Sequence, residues 1–104
     1  MTITRTLLRK DKNIFVVKLN LQEGDFIPEH NSKAVVTAIV VSGEGEFKIE
    51  EKTVKLTSGV YLEMMPFENH SIRASKPLEL VVHHILLDEI HSHNDEKLCS
   101  MQNA

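Results

Sequence analysis

The stretch GDFIPEHNSKAVVTAIVVSGEGEF, residues 24–47, decides the fold. Its middle, residues 34–41, is apolar on both alternating faces and broken only by Thr37. Side chains two apart share a face of a strand, so such a run needs cover on both sides. It closes at Gly43-Glu44-Gly45, where the glycines supply the backbone freedom of a tight turn. Beyond the turn Phe47 and Ile49 alternate with charged residues, and Val54 and Leu56 do so again. This predicts a hairpin over 46–56 with Glu51 and Lys52 at its tip. Working outward, further β-type runs cover 14–21, 60–65, 71–74 and 78–87, with turn signals at Gly24-Asp25, Ser58-Gly59 and Lys76-Pro77. No span carries a capped helical period long enough for a βαβ crossover. Strands at this spacing predict an all-β chain, a small antiparallel β-barrel or jelly roll.

The chain has 104 residues, enough for one core and too few for two. Residues 1–90 are read as a single barrel domain, and 91–104, where the β pattern gives way to polar residues, as a C-terminal tail. A hydrophobic content of 41% and a charged content of 26% are those of a folding, globular chain. The formal net charge of -3, with Lys and Arg scattered, gives no basic stripe to neutralise phosphates, so nucleic acid is excluded as a partner. No window approaches a membrane-spanning length, and no membrane partner is expected. Cys99 is the only cysteine, which rules out an intrachain disulfide and fits a reducing, cytoplasmic setting.

Residues 24–43 resemble the first signature of the cupin family, G-x5-H-x-H-x3–4-E-x6-G. Gly24, His30 and Gly43 stand at the motif spacing, and Pro28 precedes the histidine in the family's manner. Residues 59–74 resemble the second signature, G-x5-P-x-G-x2-H-x3-N, with His70 at the histidine position. The resemblance spans roughly residues 14–87 and implies a cupin-like barrel with a cavity fed by both motifs. It also implies a divalent transition metal (Fe, Mn, Ni or Zn) held by two histidines and a glutamate of the first motif and one histidine of the second. Here Ser32 stands at the second histidine position, Val36 at the glutamate and Ala74 at the final asparagine. Only His30 and His70 carry over as metal candidates.

Strand alternation places His30, Ser32, Ala34, Val36, Ala38 and Val40 on one surface and His70, Ile72 and Ala74 on another. Two histidines meeting among aliphatic walls describe a small-molecule pocket. The ligand-binding candidates are therefore His30, Ser32, Val36, His70 and His84. His84 is included because, if Glu79 faces solvent, alternation turns Leu78, Leu80, Val82, His84 and Leu86 inward; His83 then points out. That makes His84 a candidate third metal ligand, and Glu63 is the one carboxylate that could stand in for the missing glutamate. Met64 and Met65 beside Phe67 suit an adaptable pocket rim or ordinary packing alike. His91, His93, Asp95 and Cys99 lack the spacing of a structural metal site and read as a solvated tail.

The reading of function is a small-molecule-binding barrel without a complete metal site, its ligand unspecified. Two alternatives stand beside it. One is a metal-dependent enzyme of dioxygenase, isomerase or decarboxylase type using His30 and His70; the other is an association module with a vestigial pocket. A homodimer is expected, because the outward residues Val35, Ile39, Val41, Val81, Ile85 and Leu87 have no obvious partner within so small a barrel, and an N-terminal strand over 3–8 would cross to the second copy.

Overall fold

The computed structural model describes residues 3–86. They form nine strands and no helix: β1 Thr4–Lys10, β2 Ile14–Leu21, β3 Phe26–His30, β4 Val35–Ser42, β5 Gly45–Ile49, β6 Lys52–Leu56, β7 Tyr61–Met64, β8 His70–Ala74 and β9 Leu78–Ile85. Two antiparallel sheets result, one in the order β1-β2-β9-β4-β7 and the other β3-β8-β5-β6. The chain passes between sheets at the turns β2–β3, β3–β4, β4–β5, β6–β7, β7–β8 and β8–β9. That is the jelly-roll arrangement the turn spacing predicts. The tail expected over 91–104, with its His91, His93, Asp95 and Cys99, lies outside the described residues.

Alternation decides which side of each strand is buried. On β4, Val36, Ala38 and Val40 are buried, while Ile39 and Val41 stand 42% and 44% exposed. On β9, Leu78, Leu80 and Val82 are buried, and on β5 Phe47 is 1% exposed. The two inner faces meet in one core around Phe47, Leu56, Leu78, Leu80 and Val40. The outer face of the larger sheet keeps Ile39, Val41 and Tyr61 open, with Val35, Val81 and Ile85 half-buried. Leu87, grouped with that face in the sequence reading, is outside the described residues.

Two details of the sequence reading are corrected. The hairpin tip is Glu50-Glu51, because Lys52 pairs with Ile49 inside the ladder; Glu50 takes the left-handed conformation (φ 50°) that the tight reversal demands. A strand over residues 26–30 was also missed. Its pairing with β8 is broken by a bulge between Ile27 and His30, where three steps on β3 oppose two on β8. Pro28 sits inside that bulge, the one strand environment that tolerates a residue without an N–H.

Candidate functional site

The bulge in β3 builds the site. Three residues apart on a regular strand, Ile27 and His30 would face opposite ways; the extra residue turns both onto the face shared by Ile72 and His70. His30 then pairs across the ladder with His70, the two rings edge to face with centroids 4.3 Å apart. Phe47 backs His70 at 5.9 Å. From the larger sheet, Phe15, His84, Val36 and Met64 lie side by side in one register row. Val17, Val82 and Ala38 make the next row inward, and together these faces enclose a cavity of about 290 Å³.

The imidazoles are held in defined states. His30 Nδ1–H donates to the Pro28 carbonyl at 2.8 Å and His70 Nδ1–H to the Glu68 carbonyl at 3.0 Å. A carbonyl can only accept, so Nδ1 carries a proton in each ring, and in the neutral tautomer Nε2 is the lone-pair acceptor. Neither Nε2 has a partner among the described residues. His84 stacks on Phe15, centroids 4.4 Å apart and planes 12° from parallel, and its buried Nδ1 has no partner among the described residues.

The candidates fall out as follows. His30, His70, His84 and Val36 all line the cavity. Ser32 does not: its hydroxyl accepts from the Ala34 N–H at 3.0 Å and its carbonyl from the Phe67 N–H at 2.8 Å, tying down the β3–β4 turn. Glu63 is on the wrong side of β7. Leu62 and Met64 take the inner face there, so Tyr61 and Glu63 point out, and the Tyr61 hydroxyl donates to the Glu63 carboxylate at 3.0 Å. Met64 is a wall residue, whereas Met65 and Phe67 are 40% and 69% exposed and do not line the cavity. Sequence reasoning missed Phe15, Ile27 and Arg5. Phe15 shares a face with Val17 and Leu19 and could have been found by alternation. Arg5, cross-strand from Leu19 on β1, carries no such signal.

The resemblance implies a divalent metal at these histidines. Two imidazoles with tethered Nδ1 atoms are oriented as metal-bound histidines usually are. Among the described residues no carboxylate lines the cavity, Val36 occupies its place, and no group of three or more His, Cys, Asp or Glu side chains is suited to an ion. The described residues by themselves therefore do not fit a tightly held divalent cation.

Burial sets the electrostatics. It pushes the His70 imidazole below its ordinary value of 6.5, outweighing the favourable Glu68 carbonyl, and His30 adds repulsion. Burial depresses His84 in the same direction, with His30 and His70 reinforcing it. A base with a lowered folded-state pKa binds fewer protons folded than unfolded once the pH drops below the unfolded value. Stability is thus fully present above about pH 6.5 and is lost as the pH falls toward the folded-state values. The urea midpoint should decline as the pH falls below about 6.5, and His84→Gln should flatten the decline. A midpoint that rises on acidification would mean the imidazoles find counter-charge in the fold.

No protein-family model and no curated protein matches the chain. Solved structures do. A cupin superfamily protein from Desulfitobacterium hafniense superposes with a TM-score of 0.78 at 10% identity, over 82% of this chain and 78% of that one. An RmlC-like cupin from Shewanella frigidimarina gives 0.78 at 19% identity, over 80% and 75%. KdgF from Halomonas sp. gives 0.75 at 19% identity, over 85% and 84%. At these identities the likeness is one of architecture: the described residues, two antiparallel sheets without a helix, have the fold of those cupin structures.

Proposed function

We propose that the chain binds a small, largely apolar molecule in the barrel cavity, which it holds through the His30 and His70 Nε2 atoms. The observation that carries this reading is the pairing of apolar walls with two imidazoles whose acceptor atoms have no partner among the described residues. Apolar walls with a few oriented polar groups are the usual composition of a small-molecule site. At interior packing density, about 290 Å³ admits roughly ten to twelve non-hydrogen atoms. A ligand offering one N–H or O–H donor would match the imidazole acceptors.

Indole, flat, uncharged and with one N–H, is a suitable probe. Methyl NMR of the native chain titrated with indole is expected to show shifts concentrated on Val17, Val36, Ile72 and Val82. Ala38→Leu, which fills the cavity from its wall, is expected to remove them while far-UV circular dichroism stays native. Shifts confined to the exposed Ile39 and Val41 methyls, or undiminished in Ala38→Leu, would sink the reading.

A further inference from the structure

The cavity has a sign. Four of the side chains lining it are titratable, namely Arg5 from β1, His30 from β3, His70 from β8 and His84 from β9; β2, β4 and β7 contribute none. Imidazole is neutral or positive and guanidinium is positive, so the described residues give the walls no negative group. A cationic ligand would enter without a counter-charge, at the cost of its desolvation. An anionic one would meet a permanent cation.

Arg5 is placed to be that cation. It pairs with Leu19 on the inner side of β1 and thus points toward the interior. It lines both the cavity and a shallow surface depression with Ile3, Phe26 and Pro28, which locates it at the opening between β1 and β3. No acidic side chain pairs with Arg5 among the described residues. Its guanidinium is also free of the aromatic stacking that engages Arg73 over Phe26 at 5.5 Å. Elsewhere on the cavity wall, the buried His84 Nδ1 is a polar atom with no partner among the described residues.

We infer that the ligand is an organic monocarboxylate, its apolar body between the two sheets and its carboxylate on Arg5 at the mouth. This rests on the small-molecule reading above and names the class of molecule. A guanidinium offers parallel N–H donors that match a carboxylate in two-point contact, which gives direction as well as charge. The apolar walls of the cavity account for the body, and the placement of Arg5 accounts for the head.

The test uses three molecules of nearly one shape and three charges, each carrying the O–H donor that the imidazole acceptors match: 4-hydroxyphenylacetate, 4-hydroxyphenylacetamide and 4-hydroxyphenethylammonium, titrated into the full chain at low salt. Affinity is expected to fall by about tenfold from carboxylate to amide, the scale of one charge-assisted contact near the surface, and further to the ammonium. Arg5→Gln, a change on an exposed strand that the core does not depend on, is expected to erase the preference, carboxylate and amide then binding alike. An amide that binds as well as the carboxylate in the native chain overturns the anion assignment and leaves the small-molecule reading standing. A preference that survives Arg5→Gln overturns the role of Arg5. If all three fail to bind and indole fails as well, both readings fall together.

Discussion

Gly43→Ala is expected to lose roughly 4 kcal/mol of folding stability, a large share of what a domain of this size holds. Gly43 has a φ of +100°, which an L side chain adopts only with strain, but strain is the smaller part. A Cβ there would lie 1.9 Å from the Pro77 carbonyl oxygen and 2.7 Å from the Leu78 Cα, both backbone atoms that cannot swing aside. The crowding has a topological cause. Gly43 lies where the chain leaves β4 for β5, from the larger sheet to the smaller, and residues 75–77 cross back from β8 to β9. The two crossings run against each other, and the Ser75 and Lys76 N–H groups both donate to the Glu44 carbonyl, at 3.0 and 3.1 Å. Gly24 and Gly59 supply the control. Their φ values are +88° and +90°, yet nothing lies within 4 Å of an added Cβ, so alanine there should cost about 1 kcal/mol from strain alone. Urea denaturation of the three variants reads the contrast. A Gly43→Ala chain as stable as Gly24→Ala would show that the crossings can separate, and that the sheets are not locked at this point.

The fold was legible because its determinants are local and repetitive. Residues 35–41 and 78–85 announce strands by their dense β-branched and aliphatic composition, and the glycines at 43 and 59 mark turns whose backbone takes positive φ. The site was legible only where it sits on a regular strand. Val36, His70 and His84 line the cavity in the way strand alternation requires. His30 faces it for a different reason, because a bulge adds a residue before it, and Ser32 fails to face it because the β3–β4 turn interrupts the alternation. Bulges follow from how two strands pair, which one strand's sequence does not encode; Pro28 was the available hint. Glu63 was offered as the carboxylate that could stand in for the missing glutamate, but the alternation of Leu62 and Met64 turns it out. Arg5 was invisible since its role depends on β1 joining the sheet edge and overhanging the opening, a relation between elements far apart in the chain.

Val36→Glu is expected to bind Mn²⁺ on the order of a hundredfold more tightly than the native chain, the net of an added carboxylate's attraction for a divalent ion and its own desolvation. Val36 stands where the cupin signature carries its glutamate; it is 4% exposed, lines the cavity, and lies in register between His84 on β9 and Met64 on β7. What the native site lacks is charge and a hard oxygen donor, since the His30 and His70 Nδ1 tethers already leave two nitrogen acceptors free. Without metal, the new carboxylate is costly where it sits and draws a proton onto a neighbouring imidazole, raising the depressed His84 value. The variant should therefore unfold at a lower temperature than the native chain and recover on addition of Mn²⁺ by an amount set by its concentration over the dissociation constant. Val36→Gln, nearly the same volume without charge, separates the two contributions and should gain at most a few-fold. Calorimetric titration and thermal unfolding read both variants. A folded Val36→Glu chain with no gain over Val36→Gln would mean that charge is not the missing element. The loss of a third nitrogen at position 32, where the serine hydroxyl is committed to the Ala34 N–H, would then be the obstacle to an ion in this barrel.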